Sequence, residues 1–282
     1  MKLSIITINY NNANGLRKTM ESVFSQVIGD KAMVRENFEY IVVDGASTDG
    51  SVDVIREYEQ KWLSLSLSFP FTWVSEKDTG IYNAMNKGVR MAKGDYVLML
   101  NSGDYFVDEH VVESILPELD GTDIIQGNTI CGDKINRGYG RSDISYIDVQ
   151  KGNFLHQASF CRRDLFERYG YFDESYKIDG DTVFYIRCLG NGNATFRYVD
   201  QTIAYFEGGG LSDRQNAKWQ AQRNLEFKRW STEEFSARQW NTCVEYDKKG
   251  RLYDKLHAHR WTWYVTMMLS KLIDIFDSDA KA

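Results

Sequence analysis

Proline is almost absent, with two residues in 282. No low-complexity tract is visible, so a long disordered linker is not expected. The four cysteines, Cys131, Cys161, Cys188 and Cys243, lie far apart and form no CxxC pair. Zinc and dithiol spacing are therefore missing, and the pattern suits reduced thiols in the cytosol better than a disulfide framework. Positive charge is not in excess. The formal net charge is −6, which gives no basic field for nucleic acid. A long apolar leader is missing too. "MKLSIITINYNN" has one basic residue, a short apolar run and no small-residue cleavage site. It reads as a first buried strand, Leu3 to Ile8, and the expected location is the cytoplasm. No Walker phosphate loop and no G-x-G-x-x-G turn follows that strand. There is no internal repeat.

What is present is an ordinary soluble composition, 43% apolar and 26% charged. The length fits one large α/β domain, or one with an appendage. "NGLRKTMESVFSQ" carries Leu16, Met20, Val23, Phe24 and Val27 at helical spacing. "YIVVDGASTDGS" is a β-branched strand and a turn, with Asp49 or Ser51 placed to cap the next helix. "FTWVS", "GIYNAMNKGVRMAKG" and "YVLML" read as strand, helix and strand. Strands alternating with helices imply a doubly wound, mostly parallel sheet. The pattern then changes. "DIIQGNTI", "TFRYV" and "TIAYF" are expected strands, "LFERYG" and "DTVFYIRC" short helices, and residues 127–153 loops or a hairpin. From Asp213 onward the chain looks helical, with Ser231 and Glu234 as a capping box. The expected division is 1–210, an α/β domain with halves 1–104 and 105–210, and a helical tail over 211–282.

Three of the first four strands end near acids: Asp44, then Glu76 and Asp78, then Asp104. In a parallel sheet these ends share one edge, joined by Thr7-Ile8-Asn9-Tyr10. Carboxylates and amides there suit ribose hydroxyls and base N–H groups, and a metal can neutralise phosphates. Asp, Asn, Ser and Gly after a strand are also ordinary turn residues. One turn alone decides nothing; the converging set is harder to dismiss.

At these residues the sequence resembles the inverting family 2 glycosyltransferases of the GT-A fold. The likeness runs through "SIITINYNNANGLRKTMESVFSQ", "VVDGASTDGS", "SEKDTGIYNAMNKG" and "GDYVLMLNSGDYF". It resumes at "FLHQASFCRRDLFERYGYFDE", "DGDTVFYIR" and "EGGGLSD". Within that family it looks most like enzymes of bacterial capsule, exopolysaccharide and lipopolysaccharide assembly. The resemblance implies a sugar donor linked to a nucleoside diphosphate, with uridine the first expectation, and a sugar or lipid-linked saccharide acceptor. It assigns nucleotide-sugar contacts to Thr7, Asn9, Asp44, Asp78, Asn86, Lys87, Asn101 and Ser102. The family's DxD-type motif falls on Asn101-Ser102-Gly103-Asp104, so Asp104 would hold Mg²⁺ or Mn²⁺. Asn and Gly stand where the commoner motif has acids, which leaves the metal requirement open. The catalytic base falls on Asp181, six residues before Arg187, with Gly180 in place of the usual Glu. Asp179 is a rival, and Asp181 also has the place of a helix N-cap.

His156 falls near the acceptor or donor sugar in the resemblance, and a structural histidine reads equally well. Glu207-Gly208-Gly209-Gly210-Leu211-Ser212 has the makings of a loop closing over the diphosphate, or of a plain connection into the next helix. Basic residues over 248–260 precede "WTWYVTMMLSKLIDIF". That segment, 248–276, suits a membrane surface at the inner face, and equally a core or dimer contact. Two other function classes stay open at this point: a metal-dependent nucleotidyltransferase and a non-catalytic sugar-nucleotide-binding subunit.

Overall fold

The computed structural model describes residues 1–26, 32–65, 67, 69–145, 148–149, 152–191, 193–208 and 217–234. The chain divides into two compact units, Met1–Trp230 and Ser231–Ala282. Of the second, only residues 231–234 are described. The tail segment 248–276 therefore lies outside the described residues. No described helix is long and apolar enough to cross a membrane.

The first unit is built on one sheet. Strand β1 (Leu3–Asn9) is buried along its whole length, as a strand flanked on both edges must be. It pairs in parallel with β2 (Phe38–Asp44) and β4 (Tyr96–Met99), and β2 pairs in parallel with β3 (Phe71–Ser75). Beyond β4 the sheet becomes mixed. Strand β8 (Ser159–Arg162) runs antiparallel to β4 and to β6 (Ile124–Cys131). Strand β9 (Phe196–Phe206) is parallel to β6, and β5 (Tyr105–Phe106) is antiparallel to β9. The full order is β3-β2-β1-β4-β8-β6-β9-β5, with β7 (Lys134–Asn136) hairpinned onto β6. The parallel expectation thus describes the first four strands.

One other expectation changes. "TFRYV" and "TIAYF" form one strand, β9, whose register against β6 shifts between Gln126 and Thr129. Such an irregularity lets a long strand bend without breaking. Gly127 sits there, where a Cβ would lie 2.7 Å from the Gln201 carbonyl oxygen. Over 127–153, where loops or a hairpin were expected, residues 127–131 belong to β6 and its end forms a hairpin with Lys134–Asn136.

Helices cover both faces. Helix α1 (Ala13–Ser25) starts at Asn12, whose side chain accepts from the Gly15 N–H, and buries Leu16, Met20, Val23 and Phe24. Helix α2 (Ala32–Asn37) leads into β2. Helix α3 (Ser51–Ser64) begins after Gly50, in a left-handed conformation. Asp49 serves that turn by accepting from Ser51 and from the Ala13 N–H of α1, so it ties two helix starts together. Helix α4 (Ile81–Met91) buries Tyr82, Ala84, Met85 and Val89. Helices α5 (Val111–Ile115), α6 (Asp164–Tyr169) and α7 (Gly180–Tyr185) are short, and α7 runs on into a π turn, Ile186–Asn191. Helix α8 (Ala217–Glu233) is longer and takes Ser231 into its last turn, so Ser231 is not the N-cap expected of it.

The core beneath α1 is aromatic. Phe24 meets Tyr58, Phe69, Phe71 and Tyr40 edge-on, with centroids 4.9, 5.6, 5.7 and 6.4 Å away. Those edge-to-face contacts add to the area term. Phe24→Ala is expected to cost about 3–5 kcal/mol of stability, measured by urea denaturation.

Candidate active site

A cleft of about 720 Å³ opens at the carboxyl ends of the parallel strands. Asn9 at the end of β1, Gly45 and Ala46 after β2, Asp78 after β3 and Asn101 to Asp104 after β4 form its first wall. His156, Ile178 and Asp181 face them from the second half of the chain. Sequence distance is thus converted to spatial convergence by strand direction alone.

The β2 turn is rigidly built. Ala46 has φ 60° and Asn11 φ 48°, a region that costs a non-glycine residue energy. Ser47 Oγ accepts from the Asn11 N–H at 2.8 Å, and Asn11 Oδ1 accepts from Thr48 N–H at 2.9 Å. These bonds lock the turns after β1 and β2 to each other. Asp44 lies behind them, fully buried. Its carboxyl accepts from Asn9 Nδ2 (2.7 Å), Ser47 Oγ (2.6 Å), Ser47 N–H (2.9 Å) and Ser75 Oγ (2.6 Å).

The expected site residues fall into two groups. Asn9, Asp78, Asn101, Ser102, Asp104, His156 and Asp181 line the cleft. Thr7, Asp44, Asn86 and Lys87 sit beside or behind it. Thr7 Oγ1 donates to the Leu100 carbonyl and accepts from Tyr40. Asn86 is buried between Phe172 and Glu174. Lys87 pairs with Glu76 at 2.7 Å and donates to the Lys77 carbonyl. Lys77 and Tyr82 line the cleft and are not among the expected contacts; Glu207 and Gly208 of the expected Gly-rich loop line it too, and the rest of that loop lies outside the described residues. Tyr82 hides in the sequence because its spacing on α4 is that of a core residue.

The Asn101–Asp104 turn explains its own departures. Gly103 has φ 110°, a conformation that favours glycine, and a Cβ there would lie 3.3 Å from the Glu207 carboxylate. Asp104 is nearly buried, and its Oδ1 faces the Glu207 N–H at 3.4 Å. The Glu207 carboxylate pairs with Lys18. Among the described residues no three His, Cys, Asp or Glu side chains cluster as a metal site. Asp104 supplies one carboxylate, and the Asn101 Oδ1 beside it is buried with no partner. A hard-oxygen set this small fits a cation that draws its remaining ligands from phosphate and water.

Asp181 lines the same cleft, with 21% of its side chain exposed. It is not the N-cap of α7; that position belongs to Asp179. Asp181 Oδ2 lies 3.2 Å from His156 Nδ1, and Oδ1 accepts from Thr182 N–H and faces the Tyr82 hydroxyl at 3.2 Å. His156 Nε2 in turn lies 3.3 Å from Asn101 Nδ2. Burial resists ionisation of Asp181, but the His156 hydrogen bond and charge, with Thr182 and Tyr82, hold its pKa below the usual carboxylate value. Burial likewise resists charge on His156, and the Asp181 hydrogen bond and charge, with the charge of Asp104, raise its pKa above the ordinary imidazole value. The rival Asp179 differs in kind. Burial pushes its pKa up to about 6 against the Trp230 hydrogen bond, and the charges of Asp181 and Glu226 add to the rise. It faces Trp230 Nε1 at 3.0 Å.

Residues 4–190 match the family described as "Glycosyl transferase family 2". The chain belongs to that family. It is a glycosyltransferase of the GT-A fold, in a family whose norm is inversion. A relative from Mycobacterium bovis named "PGL/p-HBAD biosynthesis glycosyltransferase" is 32% identical over 214 residues, covering 74% of this chain and 78% of its own. The poly(ribitol-phosphate) beta-glucosyltransferase of Bacillus spizizenii is 30% identical over 112 residues, 39% of this chain and 16% of its own. In fold, the chain resembles S. aureus TarS 1-349 in complex with UDP-GlcNAc, with a TM-score of 0.64 and 18% identity over 86% of this chain and 70% of that one. The mannosyltransferase PcManGT from Pyrobaculum calidifontis, in complex with GDP-Man and Mn2+, gives 0.55 and 16% over 96% and 85%.

The His156–Asp181 pair fixes a sign. Asp181, with its lowered pKa, contributes stability that is lost as pH falls through that pKa. His156, with its raised pKa, contributes stability that is lost as pH rises through its own. In His156→Gln the acid limb of kcat/KM is expected to move to higher pH, because Asp181 loses its cationic neighbour. A pH–rate series on both proteins checks this.

Proposed function

We propose that the cleft binds a nucleoside diphosphate sugar and that Asp181 is the general base of an inverting transfer to an acceptor hydroxyl. The observation that carries the reading is one carboxylate, Asp181, on the cleft wall within bonding distance of His156, Thr182 N–H and Tyr82. Asn9, Gly45 and Asp78 frame the nucleoside end. Asn101, Ser102 and Asp104 frame the diphosphate end, where a divalent cation on Asp104 would offset phosphate charge. Asp181 takes the proton of the acceptor hydroxyl as that oxygen attacks the anomeric carbon, whose bond to the donor's phosphate oxygen breaks to release the nucleoside diphosphate. Single displacement inverts the centre and needs no covalent enzyme intermediate. His156 keeps Asp181 ionised and oriented while it waits for substrate.

The solved complexes with UDP-GlcNAc and GDP-Man support a sugar-nucleotide donor. The relatives named for PGL/p-HBAD biosynthesis and for poly(ribitol-phosphate) support a role in assembling bacterial cell-surface glycans. We place the reaction at the cytoplasmic side, with a uridine-linked donor as the first to test and a saccharide or lipid-linked acceptor.

Asp181→Asn is expected to bind donor as the wild type does and to lose about 10²- to 10⁴-fold in kcat. Unchanged turnover would remove Asp181 as the base. Wild-type protein that binds donor but turns over none of a panel of nucleotide sugars with acceptors would favour a binding subunit. The metal reading has its own check by calorimetry. Mn²⁺ should bind weakly to the protein alone and tightly once UDP is present, because phosphate oxygens complete its shell. Equal affinity in both states counts against it.

A further inference from the structure

Helix α8 lies beyond residues 4–190, the stretch that matches the family. Yet it reaches the segment that carries Asp181. Glu226, buried on α8, aims its carboxylate at three successive backbone N–H groups. Oε1 accepts from Lys177 at 2.8 Å, and Oε2 accepts from Ile178 and Asp179, both at 2.9 Å. Gln222, one turn earlier, donates to Oε1 at 2.6 Å. Consecutive amides converging this way make an anion-binding nest, and here the anion is supplied by the chain itself.

The nest immediately precedes α7. Lys177 and Ile178 line the cleft, and Asp181 follows two residues after the nest ends. The other side of this segment is pinned as well. Tyr82 donates to the Ile178 carbonyl, and a Cβ on Gly180 would lie 2.7 Å from the Tyr82 ring. The segment is therefore clamped between α4 and α8. Trp230 adds a second bond from α8, to Asp179, and Arg229 stacks on Tyr176 at 4.2 Å while donating to Ser175 Oγ at 2.7 Å.

We propose that Glu226 is a positioning residue for the transfer: its carboxylate fixes the Lys177–Asp179 backbone and through it the placement of Asp181 against the acceptor hydroxyl. The inference rests on reading Asp181 as the base. A carboxylate suits the task because it accepts from all three amides at once, and a carboxamide offers one oxygen and sets an N–H against an N–H. Charge-assisted bonds to backbone amides are also the stronger kind. Misplacement of a reacting group by about 1 Å is enough to cost about 100-fold.

A double-mutant cycle on the full-length protein tests this, with Glu226→Gln, Asp181→Asn and the pair. Kinetics with donor and acceptor are read beside donor affinity by calorimetry and Tm. Glu226→Gln is expected to lower kcat about 10- to 100-fold, with donor affinity within about twofold of wild type. In the Asp181→Asn background it should cost almost nothing further, because the group it positions is gone. A full Glu226→Gln loss that persists in that background overturns the proposal and leaves Asp181 as base. A fall in Tm with kcat unchanged makes Glu226 merely structural and overturns it too. Undiminished turnover in Asp181→Asn alone overturns the base reading, whatever Glu226 does. Should Glu226→Gln not fold, Glu226→Asp is read in the same cycle. It keeps the charge but is one methylene short of the nest, and the same non-additive loss is expected.

Discussion

The architecture of the cleft depends on one buried carboxyl group. Asp44 ends β2, and in the strand register it stands beside Asn9 of β1 and Ser75 of β3. Its two oxygens receive four donors from three chain segments. A buried carboxyl left without partners would cost several kcal/mol. Fully satisfied, it locks three strand ends and the turn at Ser47 into a single register. From that register follow the placement of the Gly45–Ala46 turn, the strained φ of Ala46, and the edge from which Asp78 and Asn101 face inward. The same carboxyl that resemblance assigns to the nucleotide here holds the wall that frames it.

Much of this was legible in the chain. The period-3.6 and β-branched runs up to Leu100 place the first four strands and the helices between them, because each element is local and binary patterning records which face is buried. The strand-end rule then brings Asn9, Asp78, Asn101 and Asp104 to one edge. What the sequence does not record is how far each acid is used up by its neighbours. Nothing in "VVDGAS" says that Asp44 spends all its capacity on Asn9, Ser47 and Ser75. Nor does "YNAMNKG" say that Asn86 is committed to Phe172 and Glu174. The second half was less legible for a related reason. Strands β5, β6, β8 and β9 pair out of chain order, and a shifted register merges two apolar runs into one strand. Glu226 gave no signal at all, since an acid on an amphipathic helix reads as a solvated face until its three amide partners are located.

The glycine in the Asn101–Asp104 turn shows how a departure from a motif can be structural in origin. Gly103 takes a left-handed φ and leaves room for Glu207, which closes the turn from β9 through Asp104. An acid at that position would strain the backbone and set a second negative charge against Glu207. With glycine there, Glu207, which follows β9, comes against the turn after β4.

Three acids near α7 show environment sorting one chemistry into separate tasks. Asp181 faces an imidazole, an amide N–H and a phenol, and its charged form is favoured. Asp179, two residues away, meets an indole and two like charges, and its charged form is disfavoured. Glu226 meets backbone amides and serves as a fastener. The sorting is self-consistent, because the Glu226 and Asp181 charges that raise the pKa of Asp179 are each satisfied by donors that Asp179 lacks. His156 thus stands between the Asp181 carboxylate and the Asn101 amide, a link that Asp179 does not share.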